Sequence, residues 1–542
     1  MARIIPTCKK ALLALGVSIV VSTPALAVSR TAESGLLAYL AARADSADGD
    51  GTESVRRYAV ALADTPGNTE VALHAYREAL VVGDDRLLDR AIAALAAKGA
   101  APPDAALVTL GAAAHARDLA AANTAIDRLA GGQLAILGGP LRAWAMQERG
   151  GDGLAVLAQR PRDSVARRLD EETRGLMQIA RGQYDDGLTT LRAALGNDQA
   201  AIDLRIAAAR LLKGAGQDER ARAILGGSTS PLAALYDRLQ AAKPSLAFGA
   251  AVLFVRLADD LAAGEPGPMS IALTRAALRA EPGNDRARLL LADALSRLDR
   301  TDRALAVLDG IDKSGLYAST ANAARIAILA GAERYDEAIA VAAPLAQPED
   351  APDVALATLG DLLLAADRPK DAVPIYRRLL DRPAATGRWE PWLQYAASLD
   401  GSGDWPAART ALLRAQSIAP DEPAVLNYLG YGDVTHGGDV PKALAMLERA
   451  SALRPTDSAI TDSLGWAWFR TGNIAKALPL LERAAQASPD NAEIGEHLGD
   501  AYWASGRRYE ARYAWRAAQV VIDAKANPKD YDRLATKIAD GL

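Results

Sequence analysis

Apolar side chains recur at helical spacing along this chain, and long apolar strand-like runs are missing. In the second half, one small residue follows an apolar one about two turns into each helical stretch: Ala258, Ala292, Gly360, Ala396, Gly430, Gly465 and Gly499, with Ile326 keeping the register where the small residue is lost. The steps, Ile326 included, are 34, 34, 34, 36, 34, 35 and 34 residues. Twelve residues after each anchor comes a second small residue, at Ser270, Ala304, Ala338, Ala372, Ala408, Ala477 and Ala511, while Ala443 sits one place late in a unit lengthened near Gly437-Gly438. Helices that cross closely need small side chains where their backbones approach, so the two positions predict a helix A and a helix B in every unit. Proline then closes several B helices, at Pro282, Pro420, Pro455 and Pro489.

Upstream the pattern loosens. Gly175, with Gly182 and Gly187, and Ala209, with Gly216 and Ala221, are again 34 apart, and Ala75, Gly111 and Ala143 are looser anchors. Residues 28–225 are therefore read as divergent helical repeats and 250–523 as a regular array. The step of 49 from Ala209 to Ala258 leaves an insertion, assigned to 226–249 around Gly226-Gly227-Ser228-Thr229-Ser230-Pro231, that predicts an extra helix or a bend. Asp45 to Gly51 is polar and glycine-containing, and reads as a mobile spacer. At the other end Asn527-Pro528 resembles a helix start, and Tyr531, Leu534 and Ile538 share one face, so 524–542 is expected to cap the last repeat.

The first residues change where the mature chain is expected to begin. Arg3, Lys9 and Lys10 precede an apolar run from Ala11 to Val21, and Ala25-Leu26-Ala27 is a small-x-small cleavage site, so 1–27 reads as a signal peptide cut after Ala27. The run is short for a membrane span, and Pro24 breaks it. Val28 stands where a lipoprotein would carry cysteine, and Cys8, the single cysteine, lies in the removed segment, so neither a lipid anchor nor a disulfide is expected. Removing three of 62 basic residues and none of the 67 acidic ones leaves a mature net charge of −8. With no long run of Lys or Arg, that balance argues against nucleic acid as a partner.

Candidate chemistry is sparse. His74, His115, His436 and His497 have no second histidine or cysteine at ligand spacing, so no metal site is expected, and His497 is placed on the surface or groove of its helix. The chain has no G-x-S-x-G, no G-x-x-x-x-G-K and no complete G-x-G-x-x-G; Gly401-Ser402-Gly403 reads as a turn between helices. Glu171-Glu172 and Asp185-Asp186 fall at predicted helix starts, where the dipole favours negative charge. No catalytic residue and no cofactor are assigned.

Together these positions resemble the tetratricopeptide repeat, whose pattern is W-x2-L-G-x2-Y, then A-x3-F, then P. Trp392, Ala396, Leu399, Ala408, Leu412 and Pro420 match it in one unit, Leu464, Gly465, Trp468, Ala477, Leu481 and Pro489 in another, and Leu498, Gly499, Tyr502, Ala511 and Trp515 in the last. The resemblance implies an all-α, right-handed superhelical solenoid of paired antiparallel helices, of roughly 11 to 12 repeats with a C-terminal capping helix. In such a fold the A helices line the concave face, at positions six and three before the anchor and one, four and five after it. Projected here, that register selects Asn427, Tyr431, Asp462, Trp466, Phe469, Arg470, Glu496, Asp500 and Trp503 as a protein-binding groove. Trp468 and Trp515 are assigned to the core, and packing between repeats would also suit Trp466, Phe469 and Trp503.

A narrower resemblance lies in Leu426-Asn427-Tyr428-Leu429-Gly430-Tyr431, Asp462-Ser463-Leu464-Gly465-Trp466-Ala467 and Glu496-His497-Leu498-Gly499-Asp500-Ala501-Tyr502-Trp503. It is similar to a proteobacterial group of exported repeat proteins. Among them are lipoprotein adaptors that present peptidoglycan hydrolases to periplasmic carboxy-terminal processing proteases. The likeness covers residues 420–520, and this chain departs from those adaptors in lacking their lipid-bearing cysteine. It implies a non-enzymatic periplasmic scaffold, with a processing protease and its substrates as partners. The alternative is a scaffold in another envelope assembly, such as polysaccharide export or outer-membrane biogenesis.

Overall fold

The computed structural model describes residues 35–542 apart from 159–160, 162, 195–198, 227–232, 263, 265–266 and 525–526. The expected signal peptide, its cleavage site and Cys8 lie outside the described residues, as does most of the Gly226 to Pro231 stretch. Among the described residues there are 30 α-helices, two short 3-10 turns and no strand, and the fold is all-α. The chain divides into two compact units that meet in sequence at Ile328 and Leu329.

Within the second unit the repeat positions occupy one recurrent environment. A Cβ added to Gly360 would lie 2.6 Å from the Tyr376 ring, one on Gly430 2.8 Å from Leu447, and one on Gly465 2.9 Å from Leu481; on Gly499 it would stand inside contact distance of the Trp515 ring. Each of these partners lies one B-helix turn beyond the second small residue, and Ala372, Ala443, Ala477 and Ala511 are fully buried at the crossings. Each of these glycines thus faces a bulky B-helix side chain at close range, and a methyl group would overpack the crossing at a cost of about 1–3 kcal/mol.

The turn from helix A to helix B is equally regular. Gly182, Gly216, Gly403, Gly437, Gly472 and Gly506, each seven residues past its anchor, have φ between 70° and 89°. Three units put Asp299, Glu333 and Asp367 at the same place, with φ of 61°, 59° and 56°, a conformation that L-residues other than Gly, Asn and Asp seldom adopt. Side-chain caps follow in several units: Asp404, Asp439 and Asn473 each accept a backbone N–H of the B helix they open. The closing helix Pro528–Asp540 buries Leu534 against Arg508–Val520, with Tyr531 and Ile538 half-buried beside it.

The first unit departs from a stack in which each repeat touches only its neighbours. Helix Ala105–Ala116 packs against Pro268–Ala280, far along the chain. Gly111, read as a loose anchor within its own unit, is needed for that crossing instead, because a Cβ there would strike the Ala276 carbonyl. Arginines of the regular array then close onto the ends of early helices. Arg275 donates to the carbonyls of Leu80 and Val81 at 2.8 and 2.9 Å, in the last turn of Thr69–Val82, and burial pushes its guanidinium down to about 10. Arg300 reaches the Ser46 carbonyl at 3.2 Å, and Arg279 the Asp89 carboxylate at 2.9 Å. The bonds from Arg275 satisfy carbonyls that a helix C-terminus leaves unpaired, and Arg300 adds a second donor to the Ser46 carbonyl, which also accepts the Gly49 amide at 3.3 Å.

The Asp45 to Gly51 stretch is no free spacer. The first helix runs to Asp48, Gly49 takes a left-handed φ of 84°, and Asp50 caps the next helix by accepting the Glu53 N–H at 3.1 Å. Its polar residues serve a tight turn between two packed helices.

Candidate functional site

In the second unit the helices Pro423–Thr435, Ser458–Arg470 and Ala492–Ala504 lie side by side as successive A helices. The Tyr431 hydroxyl on the first donates to Glu493 Oε1 on the third at 2.8 Å, passing over the helix between them. A bond that skips a helix closes only where the row bends toward itself, so this is the inner side of the row. Burial, then the Glu493 carboxylate, drives the Tyr431 phenol above its ordinary range.

Six of the nine register-selected residues assemble there around a stack of rings. Trp466 lies between His497, centroids 3.9 Å apart and 14° from parallel, and Phe469, at 4.9 Å and 19°. The exposed Arg470 guanidinium stands 5.8 Å from the indole. Asp462 Oδ2 accepts from His497 Nδ1 at 2.8 Å, and both residues are buried. Burial alone would push the imidazole down, but the bonded Asp462 carboxylate, with Glu493 nearby, holds it above its ordinary value. The stack therefore sets against an indole face an imidazole whose charged form is favoured by its carboxylate partner.

Two acceptors on this face lack a donor. Asn427 Oδ1 and Asp462 Oδ1 are enclosed and make no hydrogen bond, although the residues are only 7% and 5% exposed. Such an orphan costs about 1–3 kcal/mol.

The other three selected residues are engaged by the chain itself. Glu496 accepts from Arg533 Nε and an Arg533 terminal nitrogen at 2.9 and 2.8 Å and pairs with Lys537 at 2.8 Å; despite burial, these cations hold its carboxyl down to about 2. Asp500 accepts from Trp515 Nε1 at 2.9 Å and from Lys537 Nζ at 2.7 and 2.8 Å, while burial lifts its pKa. Trp503 packs on Trp515 at 5.5 Å and against the backbone of Gly541. The capping segment supplies Arg533, Lys537 and Gly541, and because it lies outside the repeat the register could not show that it covers these positions.

Trp515 is buried as expected. Trp468 is instead half-buried: it closes the edge of the cluster around Leu447 and Leu464 and has the Lys476 ammonium 3.9 Å over its ring. His497 takes a larger part than its sequence suggests. It sits two places before Gly499, off the selected register, and its signal was Asp462, 35 residues earlier, one helix over at nearly the same height. No group of His, Cys, Asp and Glu that could hold a metal ion occurs among the described residues, and no described helix is long and apolar enough to cross a membrane.

Two segments, residues 270–315 and 469–514, match the tetratricopeptide repeat family model. They contain the small residues Ser270, Ala292 and Ala304, and Ala477, Gly499 and Ala511, of the repeat register. Similar solved structures include a thermophilic tetratricopeptide-repeat protein of Thermus thermophilus, 22% identical, covering 35% of this chain and 99% of that one, with a TM-score of 0.30. A repeat protein of Parabacteroides merdae is 11% identical over 45% of this chain and 96% of its own, with a TM-score of 0.39. MamA of Desulfovibrio magneticus is 18% identical over 31% and 94%, with a TM-score of 0.27. No curated protein matches the chain.

Proposed function

We propose that the chain is a non-catalytic scaffold that holds a partner polypeptide against the ring stack of Trp466, Phe469 and His497. One observation carries the reading: a partly exposed stack of Trp466 and Phe469, with the Arg470 guanidinium beside it, lies on the inner face of the row. The rings supply contact area for a partner peptide at small entropic cost. The scaffold acts in the periplasm, supported by the basic, apolar and small-x-small order of residues 3 to 27. It presents substrates to a carboxy-terminal processing protease, a role supported by the motifs of residues 420–520. Without a cysteine at position 28 it does so without a lipid tether.

Capture from periplasmic extract tests the assignment, with the mature chain compared to a Trp466→Ala, Phe469→Ala double variant. Recovery of a processing protease and a peptidoglycan hydrolase by the native chain alone supports the adaptor. Recovery of polysaccharide-export or outer-membrane assembly proteins would replace it with another envelope scaffold, and equal capture by both chains would remove the groove. The mass of the exported protein should correspond to a chain starting at Val28, and a retained leader would overturn the export reading.

A further inference from the structure

The first unit has an inner face of its own. Its A helices Gln199–Gly214, Leu246–Ala262 and Asp285–Arg297 carry the buried anchors Ala209, Ala258 and Ala292. The register used above selects Asp203, Ile206, Arg210, Lys213 and Gly214 on the first of them. The described end of the insertion lies over the last three. Arg210 donates to the Gln240 carbonyl at 3.3 Å, Lys213 to the carbonyls of Tyr236 and Leu239 at 3.0 and 2.8 Å, and the Ala242 amide to the Arg210 carbonyl at 2.9 Å. A Cβ on Gly214 would strike the Ala242 carbonyl, so only glycine lets the segment lie this close. Leu239 and Ala242 are buried, and the stretch from Leu239 to Ala242 is non-helical and uncharged. The chain thus displays on this face the kind of segment the face accepts: main chain bonded to groove cations, with apolar side chains pressed inward.

Beside that segment a cavity of about 390 Å³ remains open, bounded by the three helices and the loop from Gly310 to Tyr317. Its size is that of a small-ligand cleft. Ile206, Ala207, Val252, Val255 and Leu316 supply apolar lining. The carboxylates around it are already engaged. Asp203 accepts from Arg286 Nε at 2.7 Å, Glu172 lies 3.5 Å from Arg256 Nε, Asp285 is 2.8 Å from an Arg288 nitrogen, and Asp312 accepts from the Ser314 amide and hydroxyl at 2.9 and 2.8 Å. Of the lining arginines, Arg210, Arg256, Arg286 and Arg288 are paired in turn and Arg238 is solvent-exposed, so a charged group entering between them would have to break one of these pairs, whereas an apolar group meets unoccupied apolar surface.

We infer that this cavity is a second binding site, separate from the ring stack, and that it takes an uncharged apolar side chain of an extended partner segment lying alongside the insertion. Fluorescence anisotropy with the full mature chain tests this. The probes are labelled, end-capped nonapeptides of Ala and Gln whose central residue is Leu, Phe, Asp or Lys. Leu and Phe peptides should bind, with Asp and Lys peptides at least about tenfold weaker. Val252→Asp, at a half-exposed lining position, should weaken the Leu peptide by about tenfold, and Leu316→Asp on the loop wall is the second variant should the first melt early. No binding, equal binding of all four peptides, or binding indifferent to both substitutions would overturn the site. Displacement of the Leu peptide by dodecanoate at lower concentration than by its unlabelled copy would assign the cavity to lipid tails and overturn the peptide reading.

Discussion

One buried pair, His497 with Asp462, holds the ring stack in place. Because the folded environment raises the imidazole pKa, the charged form stabilises the fold. That contribution is fully present below the ordinary value of 6.5 and is lost as pH climbs through the raised folded value. The melting-temperature difference between the native chain and His497→Gln should therefore be largest in mild acid and shrink toward alkaline pH. A constant difference would mean that the ring acts by packing alone. Asp462→Ala leaves His497 buried beside Glu493 and Tyr431 without its bonded partner, and should destabilise by about 3–5 kcal/mol, read by denaturant unfolding. The turn residues offer the opposite sign. Glu333 holds a φ of 59° at a place where six other units use glycine, so Glu333→Gly should gain roughly 1 kcal/mol, the relief of left-handed strain outweighing glycine's added entropy cost.

Among the helices of the second unit, the cap decides which inner positions remain open. Lys537 sits between Glu496 and Asp500, and its removal strands two carboxylates in a partly buried site, so Lys537→Met should cost about 2 kcal/mol after allowance for residual solvation. The same arrangement separates two tryptophans that the register treats alike. Trp503→Ala should lower the melting temperature and leave partner capture unchanged, whereas Trp466→Ala should weaken capture at a smaller cost in stability; the reverse pattern would move the site toward the cap. The crossings themselves were legible in the sequence, because Gly430, Gly465 and Gly499 answer to partners 16 or 17 residues away and the same need recurs from unit to unit. The ring stack was legible in part: spacing found Trp466 and Asp462, but not the sideways contact that recruits His497. The cover over Glu496, Asp500 and Trp503 was not, since Arg533 and Lys537 belong to a helix with no place in the repeat.

Across the whole molecule, the two units are held by contacts of different range, and this should govern how each opens. In the second unit each helix answers mainly to its neighbours in sequence, so disturbances stay local, as in a linear array. In the first, Arg275 ties the end of Thr69–Val82 to Pro268–Ala280 across almost 200 residues, a link with no period and hence no trace in a repeat analysis. Arg275→Ala removes two hydrogen bonds to helix-end carbonyls and leaves them enclosed, at a cost of about 2–3 kcal/mol. Because Thr69–Val82 and Ala105–Ala116 both pack on Pro268–Ala280, that cost should be felt on both sides of the link. Hydrogen exchange should quicken together in residues 69–82, 105–116 and 268–280. Gly499→Ala, of comparable cost, should quicken exchange only in 492–504 and the adjoining helices 508–520 and 528–540. If Arg275→Ala affected only its own helix, the early segment would be held by something other than these arginines, and the first unit would open like the second.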